Sequence, residues 1–439
     1  MSEKTLEIKL EKLTYGGDAI GRLEDPLTGT GGRAVFVPFG LPGELVRVRL
    51  VEEKKNFARA ELLEVLEPSQ ERITARCKHF GECGGCHYQH MPYEAQLRAK
   101  TEILRDQLQR IGKIENPPVR PMVASPHPWY YRNHVQFHLT GDGRLGYVGA
   151  GFGDVLRPSP SKIIPITECH LPEPPINSTW PQLEFELSAP TSPRQGIEHV
   201  SLRTGVDDDL MLILESDNIE APELELEAGI SVVHLTEEDA LVMAGEDHLF
   251  MQVLEREFRV SAGSFFQVNT VIAEKMVEHL LEGLPLPAET ILDVYCGVGL
   301  FSAFLASQCK RLIGVESSPS ACEDFAANLD EFDHVELYEG AAEDVLPALV
   351  GRIGRVASPK GGNPPYVLLD PPRAGVDKRA LDGIRQLAPQ VIAYVSCDPS
   401  TLARDAARLI AGGYRLVEVT PFDLFPQTYH IESISIFAR

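Results

Sequence analysis

Cys397 sits in "VSCDPSTLARD", residues 395–405, between a β-branched run and a Pro-Ser-Thr turn where a strand should give way to a helix. A cysteine there is either a nucleophile or a small apolar residue at a strand end, because buried cysteines are common and mostly inert. As a nucleophile it needs a thiolate. The field at the N-terminal end of a helix expected from about Thr401 favours one. A second group, "CKHFGECGGC", holds Cys77, Cys83 and Cys86 at C-x5-C-x2-C spacing. Three thiols among glycines can fold around one metal centre, with Cys169 in "IPITECHLPEP" as the candidate fourth ligand. A zinc site completed by His79, His87 or His90 is the physical alternative. Cys296, Cys309 and Cys322 read as core or helix residues.

The elements that must position Cys397 begin at about residue 265, where apolar strands alternate with helices: "ETILDVYCG", "RLIGVESS", "YVLLDPP" and "VIAYVSC" are strand-like runs with helical patterns between them. That grammar predicts an α/β fold with a doubly wound parallel sheet. The final runs, "YRLVEVTPF" and "HIESISIFAR", have no helix between them, so the sheet should close with an antiparallel strand. In such sheets ligands bind outside the carboxyl ends of the strands. "DVYCGVGLFS" offers Gly297 and Gly299 there, but Ser302 stands where a dinucleotide fingerprint wants a third glycine, which argues against a pyrophosphate. Glu316 ends the next strand, 19 residues after Gly297, where its carboxylate can accept both hydroxyls of a ribose. An adenosine ligand without a diphosphate points to S-adenosylmethionine. Asp370, in "DPPR", ends a third strand.

Upstream, residues 1–66 alternate apolar and polar around "YGGDAIG" and "FGLPGE", the pattern of a small antiparallel β-barrel, an architecture that often binds RNA. Residues 67–264 read as a β-rich central domain with a hairpin at "NHVQFHLTGDGRLGYV" and a Pro-rich stretch near 171–195. A helix over 93–112 repeats apolar side chains at Leu97, Leu104, Leu108 and Ile111, with its basic residues largely on other faces. The formal charge of −23 taken whole argues against nucleic acid. Its distribution argues otherwise. Residues 206–257 carry sixteen acids against Arg256 alone, whereas residues 69–113 carry eight Lys or Arg against five acids. No apolar run approaches the roughly 20 residues of a membrane span, and "MSEKTLEIKL" lacks the order of a signal peptide. A cytoplasmic protein is expected, and in that reducing compartment cysteines serve metal binding or catalysis.

"DVYCGVGLFS", "GVESSP", "LLDPPRAG", "VSCDPSTLARD" and "HIESISIF" occur in the order and spacing of the class I RNA (uracil-5-)-methyltransferases. The whole chain resembles the 23S ribosomal RNA members of that family. Its first segment is similar to a TRAM domain, and "FFQVN" at 265–269 is similar to the segment leading into the Rossmann-like catalytic domain, residues 265–439. The resemblance implies methylation of carbon 5 of an RNA uridine, with Cys397 adding to carbon 6 and Glu432 as the base that removes the carbon 5 proton. It implies donor contacts from Gln267, Tyr295 and Glu316, with Asp370 touching donor or uracil. It also implies a four-iron four-sulfur (4Fe-4S) cluster on Cys77, Cys83, Cys86 and Cys169. Two departures stand out. Asp398 replaces the usual Asn after the nucleophile and opposes its ionisation, and Gly340, Ala341 and Ala342 stand where related chains often hold adenine with Asp or Asn. The expected substrate is a flipped, single-stranded loop uridine of 23S rRNA. The barrel and the 69–113 stretch are expected to grip phosphates, with "YYRNH" at 130–134 adding stacking and an arginine, in a monomeric enzyme. The alternatives are a tRNA uracil-5-methyltransferase, an RNA cytosine-5-methyltransferase, which normally has a Pro-Cys motif in place of "DPPR", and an inert iron-sulfur RNA-binding protein.

Overall fold

The computed structural model describes residues 5–23, 32–150, 162–183, 185, 197–216, 229–237, 239–353 and 364–439. Much of the Pro-rich 171–195 stretch and six of the sixteen acids in 206–257 lie outside the described residues.

Five strands, β1 (Thr5–Leu13), β2 (Ala19–Arg22), β3 (Ala34–Val37), β4 (Leu45–Glu53) and β5 (Phe57–Glu67), close into a barrel in the order β1-β2-β3-β5-β4. Alternation drives it: Ile8, Leu10, Val35, Val37, Val46, Val48, Ala58 and Ala60 all point inward and are buried. The barrel is not wholly antiparallel, because β3 pairs parallel with β5. Parity requires this. Strand directions cannot alternate all the way round a closed ring of five.

Helix α1 (Tyr93–Arg110) follows. Its buried face consists of Ala95, Gln96, Lys100, Ile103, Leu104, Gln107 and Leu108, while Ile111 is exposed. This corrects the expected stripe, and with it the placing of the basic residues, because Lys100 points inward. The helix packs against the catalytic region as well as the barrel, and one continuous core joins all three.

The central sheet contains β6 (His134–Leu139), β7 (Leu145–Val148), β8 (Ile163–Pro165), β9 (Ile197–Thr204), β10 (Leu210–Ser216), β11 (Ser231–Leu235) and β12 (Ala240–Ala244), ordered β12-β11-β10-β9-β6-β7-β8. β6 and β7 form the expected hairpin. A short helix, α2 (Pro174–Thr179), and a separate hairpin, β13 (His248–Val253) with β14 (Arg256–Ser261), complete this region.

The last sheet is doubly wound. Its strands β15 (Ala288–Val294), β16 (Cys309–Glu316), β17 (Val335–Glu339), β18 (Tyr366–Leu369), β19 (Val391–Ser396), β20 (Arg415–Phe422) and β21 (Glu432–Ala438) are ordered β17-β16-β15-β18-β19-β21-β20. Strands β15 to β19 are parallel, and β21 inserts antiparallel between β19 and β20. Helices α3 (Thr270–Gly283), α4 (Leu300–Leu305), α5 (Pro319–Asn328), α6 (Ala342–Ile353), α7 (Lys378–Leu387) and α8 (Pro399–Ala411) cover both faces. The near-continuous apolar strands demand that cover. Among the described residues no helix is long and apolar enough to cross a membrane.

Candidate active site

The carboxyl ends of β15, β16, β18 and β19 lie along one edge of the sheet. Because β21 runs the other way, its first residue lies at the same edge. Ser396 pairs with Ser433, so one step further Cys397 lies opposite Glu432. Asp370 follows β18 next door, its N–H donating to Val294 O at 3.2 Å. Sheet register thus brings together three of the sequence candidates from separate motifs.

Electrostatics correct one expectation. The Cys397 thiol is not lowered by the helix that follows. Burial, then the Glu432 and Asp370 carboxyls, push it up to about 12, against the opposing charge of Arg373. The N-terminal end of α8 is occupied: Asp398 Oδ1 accepts from Ser400 N at 2.8 Å and Thr401 N at 3.0 Å. Its other oxygen accepts from Tyr15 Oη at 3.0 Å, a hydroxyl supplied by the barrel. Asp398 is the smallest of the charges that raise the thiol. Glu432 is buried and raised well above the carboxylate range by burial and Asp370. Burial and the neighbouring acids thus favour the protonated form of both groups.

Three carboxyls ring the donor side. Burial, then neighbouring acids, push Asp293 and Asp370 up to about 7. Asp293 Oδ2 accepts from Ser302 Oγ at 2.7 Å, yet its buried Oδ1 has no hydrogen-bond partner among the described residues. Glu316 caps two turns, Oε2 accepting from Gly297 N at 2.9 Å and Oε1 from Ser317 N and Ser318 N. The two glycines differ. Gly297, at φ +53, faces open space, as a close ligand approach requires, whereas a Cβ on Gly299 would meet Leu329 Cδ1 at 2.4 Å. Gly299 serves the packing of α5, not access to a ligand. Tyr295 holds the strand-end turn at φ +67, with its N–H on Val315 O. Gln267 is buried, and its carbonyl accepts from Asn133 Nδ2 at 2.9 Å. No hydrogen bond among the described residues ties its side chain to the Gly297 turn.

Cys77, Cys83, Cys86 and Cys169 line one cavity of about 320 Å³, with Arg132, Tyr147, Thr428 and His430. Burial raises all four thiols, Cys83 to about 11 and Cys86 to about 12. Arg132 Nε is buried beside them without a hydrogen-bond partner among the described residues. Among the described residues no three His, Cys, Asp or Glu side chains close to the reach of a single metal ion.

The expected phosphate grip is largely spent inside the protein. Arg72 pairs with Glu44, Lys78 with Glu168, Arg98 with Glu71, Lys100 with Asp423, Arg105 with Glu102 and Arg110 with Asp106. Arg76 lies over Trp129 and Tyr130. In "YYRNH", Tyr131 is buried and Arg132 packs over Phe425, so of its aromatic rings Tyr130 alone is exposed. Sequence reasoning assigned no role to Arg373, although it stands in the quoted "DPPR", nor to His430, whose Nδ1 lies 3.4 Å from Arg373 Nη2. Tyr15 gave no local signal.

A description of the tRNA (uracil-5-)-methyltransferase family matches residues 225–439, and the TRAM domain matches residues 1–63. An uncharacterized RNA methyltransferase of Aquifex aeolicus is 35% identical over 457 residues, covering 99% of each chain. One of Halalkalibacterium halodurans is 33% identical over 460 residues, covering 98% of this chain and 96% of its own. Among solved structures, the Pyrococcus abyssi tRNA (uracil-54, C5)-methyltransferase, in complex with S-adenosyl-L-homocysteine, superposes with a TM-score of 0.70 at 24% identity, covering 98% of this chain and 99% of that one. That likeness carries the fold from barrel to catalytic sheet. The chain belongs to the S-adenosylmethionine-dependent RNA (uracil-5-)-methyltransferases.

Proposed function

We propose that the protein methylates carbon 5 of a loop uridine in 23S rRNA through a covalent bond between Cys397 and carbon 6. The observation that carries this reading is the meeting of Cys397, Glu432 and Asp370 at one sheet edge, beside a ring of acids suited to a cationic donor. Carbon 5 of uracil is a poor nucleophile. The Cys397 thiol gives its proton to solvent as the sulfur bonds carbon 6, and the ring becomes an enolate whose carbon 5 takes the methyl as the sulfonium–methyl bond breaks, leaving S-adenosylhomocysteine. S-adenosylmethionine supplies the methyl on a sulfonium. Glu432 then takes the carbon 5 proton, the sulfur–carbon 6 bond breaks, and the thiolate is restored. Because burial and neighbouring acids favour the protonated thiol and carboxyl, the positive charges of Arg373 and the bound donor would assist their ionisation. Asp293, Glu316 and Asp370 would hold the donor.

The four cysteines fit a 4Fe-4S cluster. Each thiol binds a different iron, so the set needs more room than one ion does, and the cavity offers it. The buried Arg132, whose Nε has no hydrogen-bond partner among the described residues, suits an anionic centre beside it. The cluster would cross-link the segment after the barrel to the central region. Iron and acid-labile sulfide in equal amounts, lost together in Cys86→Ser, are the expected analysis.

In Cys397→Ser, RNA methylation should fall below detection and 5-fluorouridine RNA should form no adduct; turnover at the normal rate would overturn the mechanism. Mapping 5-methyluridine in rRNA and tRNA from cells with and without the gene tests the substrate. The tRNA reading draws support from the likeness to the Pyrococcus abyssi tRNA enzyme, and loss of the mark from tRNA alone would establish it.

A further inference from the structure

The inward face of α1 carries chemistry that the proposed reaction does not use. Such a stripe is ordinarily apolar, yet Gln96 and Lys100 are wholly buried and Gln107 nearly so. Gln96 Nε2 donates to Tyr88 O and Met91 O at 3.2 Å and to Gln427 Oε1 at 3.0 Å, while its Oε1 accepts from Gln427 N at 3.1 Å. Lys100 Nζ donates to Asp423 Oδ1 at 2.6 Å and to Phe425 O at 3.0 Å. His87 N and Tyr88 N both donate to Gln427 O, at 2.8 and 3.0 Å. Apart from the two bonds of Gln96 to Tyr88 O and Met91 O, these converge on residues 423–431, the link from β20 that ends at Glu432. Further along the same face, Gln107 Oε1 accepts from Ser400 Oγ at 3.4 Å. Ser400 lies in the first turn of α8, three residues past Cys397.

We propose that α1 is a strut that sets the two reacting groups against each other: Gln96 and Lys100 fix the link carrying Glu432, and Gln107 fixes the turn carrying Cys397. These three are positioning residues, and the proposal rests on the reading of Cys397 as nucleophile and Glu432 as base. Apolar packing alone would hold the link down but leave it free to slide, whereas directional bonds to Gln427 and Asp423 fix its register. Placement matters because a base must lie within hydrogen-bond reach of the proton it removes.

Two variants should fail at different steps, which a general loss of stability would not produce. The test uses the full chain with a 23S rRNA transcript and its 5-fluorouridine counterpart, whose adduct cannot eliminate. Gln96→Leu should form the fluorinated adduct at the normal rate. On ordinary RNA it should lose about 10–100-fold in kcat with little change in KM, and methylated RNA should accumulate on Cys397. Gln107→Leu should instead slow formation of the fluorinated adduct and accumulate nothing. Gln427→Leu, which removes the side-chain acceptor of Gln96 and the long contact of Gln427 Nε2 with Pro128 O at 3.4 Å, should behave as Gln96→Leu does and serves if that variant does not fold. Unchanged kcat in the folded variants, or equal slowing of both steps, overturns the proposal. Glu432→Gln is the reference. If it accumulates no methylated adduct, the assignment of the base is what fails, independently of the strut.

Discussion

At the scale of residues, the cleft stores acids that lack a counter-charge. Asp293 and Asp370, each held at about 7, keep their protons in mildly acidic solution. In the proposed donor site a sulfonium would favour their ionised forms, so binding there would expel protons. Affinity for S-adenosylmethionine should therefore rise as pH rises toward about 7 and level off above it, and S-adenosylhomocysteine, without the sulfonium charge, should rise less. Calorimetric titrations at about pH 5.5 and about pH 7.5 check this; equal affinities would contradict it. Alkylation of Cys397 in the ligand-free protein should still be accelerating at about pH 9, because only the thiolate reacts and the thiol is raised to about 12. A plateau below that pH would mean the burial argument is wrong. The sequence located the thiol and its partner carboxylate but misjudged the thiol's state. Its helix end is consumed by Asp398, and the raising carboxyls arrive from Glu432 and Asp370 by register.

At the scale of elements, periodicity identified α1 and placed Leu97, Leu104 and Leu108 on its packed side but missed the polar part of that face. Leu97, Leu104, Leu108 and Ile111 gave a plausible stripe, yet the true inward face includes Gln96, Lys100 and Gln107, whose partners lie about 300 residues away in sequence. No local pattern reveals a partner at that distance. The buried Lys100–Asp423 pair makes a stability prediction. Lys100→Met leaves Asp423 buried without its cation and should cost about 3–5 kcal/mol, whereas replacing both with apolar residues should recover much of that loss. Denaturant titration of the single and double variants checks the pattern. The doubly wound order, by contrast, was legible, because apolar strands alternating with helices admit few topologies. Gly297 and Gly299 looked alike in sequence and diverged in use, since only the packed structure shows that α5 crowds the second.

At the scale of the whole molecule, charge counts do not show which cations are free to meet RNA. The eight cations of 69–113 looked like an RNA grip, but seven are paired or stacked within the protein. Eight phosphate contacts to single-stranded RNA would give a salt slope near −6. The slope should be shallower than about −4, measured as RNA affinity against salt concentration; a steeper one would show that those pairs open on binding.

The Tyr15 hydroxyl on Asp398 has one more consequence. An N-terminal module that merely tethered RNA could be exchanged among enzymes without touching their chemistry. Here the module reaches across and holds an acid next to the reacting sulfur, so grafting another in its place would free that acid's outer oxygen and alter the reactivity of the thiol. The barrel and the turn after β19 thus share one hydrogen bond beside Cys397.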